Sequence, residues 1–411
     1  ESFGAQHMRS YSGAPAPYKP VPPAEAKAFP ELLRAAGYYT LVTTKLDYQF
    51  SGTRTGTGPF SIWDRNEGCG AYETPPSQPF FAYITYMETH ESGIFPRWTW
   101  PESKAHLVAQ LMHIWYHRNT QDQVFAEDVT VPPYYPDTPA IRGDIARHYN
   151  NIITMDRKIG EILAQLEADG LADDTIVIWT TDHGDALPRA KRELYDSGLH
   201  VPMVIHWPKN FDPPAHFAPG KVDHRVISLI DLTATTLRIA GIDVPTTMQG
   251  RPFLGADVGP ERKYAFSARD RIDETEVRQR SVRGRRYHYI RNFTPGTGFA
   301  TLNRYKEKCF LVKPLMRRLL RDGQLSGPPA ELMKPLAAEQ LFDTQEDPYE
   351  INNLSDSADP RHREALQQMR AALATWMVET GDRGHIAEPR EVVQPFTKEM
   401  HDWFGTPAWA R

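Results

Sequence analysis

This sequence has little cysteine, and it lacks long apolar runs and an excess of basic residues. Its 411 residues include only two cysteines, Cys69 and Cys309, too few for a disulfide framework or a cysteine-based zinc site. The two could pair or remain thiols, and both states stay open. Apolar runs fall well short of the roughly 20 residues that a membrane-spanning helix needs. A net charge of −5 argues against a dedicated nucleic-acid binder. We therefore expect neither a membrane nor nucleic acid as a partner.

Strand-like and helix-like segments alternate along residues 1–260. The strands include Tyr38–Thr44 and Phe80–Met87, and the helices include a long one that begins near Pro139 and a shorter one over Val226–Ala240. This alternation predicts an α/β fold, a doubly wound and mostly parallel sheet with helices on both faces.

Residues 261–411 have a different pattern. Short strand-like segments come first, and they are followed by one predicted helix over residues 361–377 and a tail. That helix carries Leu366, Met369, Leu373 and Trp376 on one face. We expect residues 261–411 to form a second, smaller unit.

The stretch Asp174–Pro208 combines two apolar runs with a polar corner between them. The runs, Thr175–Thr181 and Val201–Trp207, have the length and composition of strands buried on both faces. Asp182 and His183 follow the first run directly, so they are expected at the carboxyl edge of a parallel sheet, where α/β proteins bind ligands. Taken alone, Asp-His-Gly is also a common turn at a strand end.

The continuation of this stretch carries a resemblance to a known family. Asp182–Gly184, then Lys191, Asp196–Gly198 and Val201–Pro202, resemble the second signature of the formylglycine-dependent type I sulfatases, in the alkaline-phosphatase superfamily. The loop Leu187–Arg192 is similar to that of bacterial carbohydrate sulfatases related to heparan N-sulfatase. The resemblance covers nearly the whole chain and implies a small antiparallel sheet packed by a helix in the C-terminal part.

The resemblance implies a metal site at the strand end. Asp182 would be a carboxylate ligand of a divalent cation, for which calcium is the usual choice in the family, and His183 would be a second ligand or a partner of the nucleophile. Carboxylate oxygen suits a hard cation such as calcium, whereas imidazole is a less usual calcium ligand, so the metal's identity stays open.

The same resemblance assigns catalytic and substrate-binding roles. Lys45 and Lys191 would neutralise charge on the sulfate oxygens, and His90 would donate a proton or a hydrogen bond to the leaving oxygen. Asp47, which stands where the family often has a histidine, is expected to bind the substrate. Arg269 and Asp270 lie in a segment that the resemblance places near the substrate mouth. By default each lysine would be a solvated surface residue.

Two family elements find no match in residues 1–411. These are the paired aspartates and the Cys/Ser-x-Pro-x-Arg motif, whose Cys or Ser becomes the formylglycine nucleophile; neither Cys69 nor Cys309 fits the motif. Gly4–Arg9 resembles sequence that follows the nucleophile helix, so we expect the formylglycine residue upstream of Glu1.

The leading hypothesis is a sulfuric ester hydrolase that acts on a sulfated carbohydrate, in the periplasm or outside the cell by family habit. A phosphate or phosphonate monoester hydrolase of the same superfamily is one alternative, because a metal with lysine and histidine serves either tetrahedral anion. A catalytically inactive glycan- or anion-binding homologue is the other. The oligomeric state stays open.

Two further groups of residues have ordinary and functional interpretations. An arginine-rich segment, Arg278–Arg291, is either a solvated sheet edge or a surface for a polyanionic glycan. His113 and His117 lie one helical turn apart but lack the glutamate of a metalloprotease motif, which favours an ordinary helix face.

Overall fold

The computed structural model describes residues 25–43, 62–67, 78–96, 100–101, 103–215, 217–256 and 258–410. Within them, helices cover the segments α1 Phe29–Ala35, α2 Lys104–Tyr116, α3 Pro139–Ala168, α4 Asp196–Leu199, α5 Leu229–Ile239, α6 Arg304–Cys309, α7 Val312–Arg321, α8 Gly327–Leu332, α9 Pro360–Glu379 and α10 Arg390–Phe404. The strands are β1 Tyr39–Thr43, β2 Arg65–Glu67, β3 Phe80–Ile84, β4 Val177–Thr180, β5 Met203–His206, β6 Ala265–Arg269, β7 Gln279–Arg283, β8 Tyr287–Asn292 and β9 Glu339–Asp343. No helix in these ranges is both long enough and apolar enough to cross a membrane.

A three-stranded parallel sheet positions the residues that follow β3. β1 lies between β2 and β3 and pairs in parallel with both, with Thr43 opposite Ile84. Four of the five β1 residues are buried, as the apolar run predicts. Parallel pairing brings the carboxyl ends of β1 and β3 to one edge, so residues that follow β3 are directed to that edge.

β4 and β5 form a two-stranded antiparallel sheet in the described residues, with Thr180 opposite Met203. The expectation that these two runs are parallel-sheet strands buried on both faces is therefore wrong for this pair. All β4 residues are half-buried, and Val204 on β5 is 59% exposed. A short antiparallel pair can leave one face to solvent, which periodicity in a four-residue run cannot reveal.

The long helix α3 lies against the turn that follows β3. It begins where predicted, with Pro139 in its first turn and the Thr138 side chain accepting from Ile141 N. It ends at Ala168, and Gly170, two residues further on, has a φ of 71°, which suits the left-handed position after a helix. Its buried face, which includes Ile141 and Ile145, packs against the short turn that follows β3.

The C-terminal sheet is antiparallel, in the order β6-β7-β8-β9. α9 packs on β7 and β8, and the Trp376 ring stacks on Phe266 at 5.3 Å. Val282, Tyr289 and Leu341 from the sheet join Leu366, Met369 and Leu373 from the helix in one core. The α/β class and the antiparallel C-terminal sheet are thus confirmed.

The C-terminal part contains more helix than the single one expected. α6, α7, α8 and α10 also lie there, and Met400 and Phe404 of α10 join the core formed by Ile141 and Ile145 of α3. This core takes side chains from both predicted units. A boundary at 260/261 stays a prediction.

Candidate active site

The polar corner after β4 places an imidazole beside a carboxylate. His183 Nδ1 lies 2.7 Å from the Gly184 carbonyl oxygen, which can only accept, so Nδ1 carries the proton and Nε2 has a lone pair. That Nε2 lies 3.2 Å from Asp182 Oδ2, and the Asp182 side chain is 70% exposed. Burial and the positive charge of Lys191 both lower the pKa of His183. Two acceptor atoms therefore face one another at an accessible position.

Two glycines let the loop that carries Lys191 close over this corner. Gly184 N donates to the Gly198 carbonyl at 3.0 Å. A Cβ on Gly184 would come within 1.8 Å of Ser197 O, and one on Gly198 within 2.3 Å of Ala190 O. Both contacts are with backbone, so no other residue fits without a shift of the chain.

Residues 185–192 form a loop held in an unusual backbone conformation. Arg189 and Arg192 have φ values of 69° and 80°, a region that residues other than glycine rarely adopt. Lys191 N donates to Asp185 O at 2.9 Å, and the Arg189 guanidinium lies 3.7 Å from the centre of the Tyr195 ring. Such conformations persist only where surrounding contacts enforce them, and they cluster at functional sites.

The carboxylate of Glu91 joins this loop to the turn that follows β3. Its oxygens lie 3.1 Å from Lys191 Nζ, 2.9 Å from Lys306 Nζ and 3.6 Å from Arg192 Nη2. Arg192 also pairs with Asp273 at 2.7 Å. We call these five residues the Glu91 cluster. All five side chains are largely withdrawn from solvent, with exposures of 1–16%.

Burial and charge compete in the Glu91 cluster. Burial alone would raise the pKa of Glu91, but the charges of Lys306, Arg192 and Lys191 outweigh it and hold that pKa well below its usual value. Burial lowers the pKa of Lys306 to about 8 despite the opposing effect of Glu91. The cluster is thus a buried, ionised carboxylate with a surplus of cationic partners.

Glu91 and Lys306 were missed from the sequence. Glu91 directly follows His90, so its position after the predicted strand Phe80–Met87 was a usable signal. Lys306 lies in α6, 215 residues further along the chain from Glu91, and no local pattern indicates the contact.

His90 lies one residue before Glu91, at the start of a 3-10 turn over Glu91–Ile94. Its Nδ1 accepts from Ser92 N at 3.3 Å and lies 2.8 Å from Ser92 Oγ. The structure therefore brings the His90 turn, Lys191 and the Asp182–Gly184 corner to one edge. Lys45 and Asp47 lie outside the described residues.

Arg269 and Asp270 are both 8% exposed and are held in ion pairs. The Arg269 guanidinium bonds the Glu193 carboxylate, and Asp270 Oδ2 accepts from Arg280 Nη2 at 3.0 Å. The arginine-rich segment is mixed: Arg280 is 1% exposed and Arg283 pairs with Asp196 at 2.8 Å, whereas the Arg285 side chain is 61% exposed. Substrate contact by Arg269 and Asp270 stays a prediction.

A second group of potential metal ligands lies behind the loop. Asp196, His288 and Glu350 each place one ligand atom within 4.8 Å of the others. However, His288 Nδ1 already bonds Glu350 Oε1 at 2.5 Å, and Arg283 bonds both oxygens of Asp196. The Glu350 carbonyl also accepts from Arg189 Nη2 at 2.5 Å. This closed network anchors the Lys191 loop to the C-terminal sheet.

Comparison with known families identifies the family to which the chain belongs. A family model described as Sulfatase matches residues 67–242, and one described as N-sulphoglucosamine sulphohydrolase, C-terminal, matches residues 188–300. The first match covers the whole Asp182–Lys191 loop, and the second covers it from residue 188. The chain belongs to the sulfatase family.

Relatives of this sulfatase-family chain include two carbohydrate sulfatases. It is 36% identical to an ulvan-active sulfatase of Formosa agariphila over 94% of this chain and 66% of that protein. It is 29% identical to the human N-sulphoglucosamine sulphohydrolase over 75% of this chain and 62% of that protein. The chain thus spans slightly less than two thirds of the length of these relatives.

Solved structures agree on the fold. A Bacteroides thetaiotaomicron protein described as a sulfatase matches 94% of this chain and 82% of its own, with a TM-score of 0.58 and 18% identity. A structure described as a 2-O GAG sulfatase matches 90% of this chain and 78% of its own, with a TM-score of 0.56 and 16% identity.

Proposed function

We propose that this chain provides the cation site and the leaving-group side of a sulfuric ester hydrolase that acts on a sulfated carbohydrate. The observation that carries the proposal is the convergence of the His90 turn, the Asp182–Gly184 corner and Lys191 at one edge, with a surplus of positive charge around Glu91. Preorganised cations at the place where negative charge develops are the main requirement of such a reaction.

Asp182 and His183 fit a divalent cation. Asp182 Oδ2 and His183 Nε2 are both acceptors, and their separation of 3.2 Å is unfavourable unless a positive charge lies between them. One carboxylate and one imidazole form a mixed donor set that calcium and softer divalent ions share. When bound, the cation would supply positive charge for the sulfate oxygens. These two residues would hold it and fix its position beside Lys191.

Lys191 would bind a sulfate oxygen and stabilise the charge that builds up on it. Glu91 holds its ammonium group in place, and because Glu91 has two further cationic partners, Lys191 is not neutralised by an exclusive pair. His90 would donate a hydrogen bond to the oxygen of the departing sugar. Formylglycine is the family's nucleophile; Lys45 would neutralise charge on the sulfate oxygens, and Asp47 would bind the substrate.

The substrate class follows from the relatives. One relative is named for activity on ulvan and another for N-sulphoglucosamine, so a sulfated sugar is the substrate that we propose here. Arg269 and Asp270 would act near the mouth of the site. The family resemblance also supports a location in the periplasm or outside the cell.

The test is a turnover assay of the full gene product. Sulfate and phosphate monoesters of one alcohol would be compared, alongside ulvan oligosaccharides and N-sulphoglucosamine. We expect release of sulfate, with phosphate ester turnover at least tenfold slower. Lys191→Met should lower kcat/KM by about 100- to 1,000-fold. Lys209→Met is the matched control, because its side chain is 80% exposed. Faster turnover of the phosphate ester than of the sulfate ester would contradict the proposal. So would a lack of turnover of every ester tested.

A further inference from the structure

The hydrogen bonds around His90 determine which of its ring nitrogens carries the proton. A backbone N–H can only donate, and Ser92 N points to His90 Nδ1 at 3.3 Å. Nδ1 is therefore an acceptor with a lone pair. The neutral ring then carries its hydrogen on Nε2.

The same reasoning extends to a second histidine. Ser92 Oγ lies 2.8 Å from His90 Nδ1 and 2.7 Å from His113 Nε2. A hydroxyl has one hydrogen, and it goes to the lone pair of His90 Nδ1. Ser92 Oγ must then accept from His113, so His113 carries its hydrogen on Nε2. The bonds run in one direction, from His113 through Ser92 to His90.

This arrangement is built into the packing. His113 is 1% exposed and Ser92 4% exposed. Gly93 lets α2 and α3 approach the turn, since a Cβ there would lie 2.5 Å from Asn151 Nδ2, 2.9 Å from Glu88 O and 3.3 Å from His113 Cε1. Arg147 Nη1 also donates to Ile94 O at 2.8 Å. The turn is thereby held between two helices, which limits the freedom of Ser92 and His113 to rearrange.

We infer that Ser92 and His113 are positioning residues that hold His90 as the neutral tautomer with its hydrogen on Nε2. His90 then acts on the leaving oxygen as a hydrogen-bond donor and keeps its proton. Protonation of Nδ1 would set two donors, the Ser92 amide and the new N–H, against each other. The role of His90 in turnover rests on the proposed function, whereas its tautomer does not.

Nitrogen NMR of the full gene product tests the tautomer directly. With ¹⁵N-labelled histidine, and His90→Gln and His113→Gln used for assignment, we expect both rings to show a protonated Nε2 and an unprotonated Nδ1. Ser92→Ala keeps only the amide donor at 3.3 Å, so His90 should stay mainly protonated on Nε2 but show a measurable fraction of the other tautomer. Ser326→Ala, at an exposed serine, should leave the spectrum unchanged. A wild-type His90 signal with protonated Nδ1 would overturn the inference, even if Ser92→Ala does not fold.

Kinetics test whether this positioning matters. Ser92→Ala should lower kcat by about 10- to 100-fold with KM nearly unchanged, because only the orientation of a reacting group is lost. His113→Leu should do the same, and His113→Gln, whose amide can donate from a similar place, should recover most of the rate. Unchanged kcat in Ser92→Ala would overturn the positioning role. If the wild type hydrolyses no sulfate ester, the proposed function fails while the spectra still decide the tautomer.

Discussion

Two buried charge clusters in this molecule have opposite compositions. In the Glu91 cluster, three cationic groups, Lys191, Arg192 and Lys306, share the carboxylates of Glu91 and Asp273. At the C-terminal sheet one cation, Arg280 of β7, bonds two carboxylates, Asp270 at 3.0 Å and Asp382 at 2.9 Å.

This difference distinguishes the Glu91 cluster, which we assign to the site, from the Arg280 cluster, which supports the fold. Arg280 is 1% exposed, and both of its partners are buried, so every charge there is directed inward. The Glu91 cluster has more cations than carboxylates in the described part of the chain, and Lys191 adjoins a corner whose Asp182 is 70% exposed. A surplus of positive charge beside an accessible corner attracts an anion, whereas buried ion pairs whose members face one another chiefly stabilise the fold.

Arg280→Ala should have the largest effect on stability, because it leaves two carboxylates buried without their shared partner. We expect the free energy of unfolding to fall by about 3–5 kcal/mol, measured by urea denaturation. Arg285→Ala is the matched control, since that side chain is 61% exposed. If Arg280→Ala unfolds at the wild-type urea concentration, the C-terminal cluster is not the scaffold that we describe.

Glu91→Gln should come next. The amide keeps the shape of the side chain but removes the charge that offsets three neighbouring cations, so we expect a loss of about 2–3 kcal/mol in urea denaturation. kcat/KM should also fall, since Lys191 loses its anchor. Glu127→Gln, at an exposed position, provides the comparison. A variant as stable and as active as the wild type would mean that Lys191 is held by other contacts.

Local sequence predicts the part of the site that lies within one short segment. Asp182, His183 and Lys191 could be grouped because ten residues of loop carry all of them. Glu91 and Lys306 could not, since their contact joins positions 215 residues apart. The link from His90 to His113 through Ser92 depends on how α2 packs on a turn, which composition does not encode.

The same limit applies to the fold. The strands of the C-terminal sheet were readable from β-branched and aromatic runs. α10 lies in the segment that was predicted as a tail, although Val393, Phe396, Met400 and Phe404 have helical spacing and are buried. The antiparallel pairing of β4 and β5 was missed because a four-residue apolar run carries no information about the direction of its partner.

A smaller and pH-dependent effect is expected at Lys306. Its native pKa of about 8 lies below the ordinary value of 10.5, so between these pH values the unfolded chain binds more protons than the native one. Stability contributed by this group therefore rises with pH across that window, and below about pH 8 the cost of burying the charge is fully present. Relative to Lys306→Met, the wild type should gain about 2 kcal/mol between pH 7.5 and 10, measured by urea denaturation at each pH. A flat or falling difference would contradict the shift.

Asp182→Asn should have the smallest effect on intrinsic stability. Its side chain is 70% exposed, so without added metal the free energy of unfolding should change by less than about 0.5 kcal/mol. Calcium should raise the thermal unfolding temperature of the wild type, because a ligand of the native state stabilises it by mass action. That increase should be much smaller in Asp182→Asn and unchanged in Asp243→Asn, a control whose side chain is fully exposed. An equal calcium response in Asp182→Asn would place the cation elsewhere. The Asp182–Gly184 corner would then have no more claim to bind a ligand than the buried ion pairs around Arg280.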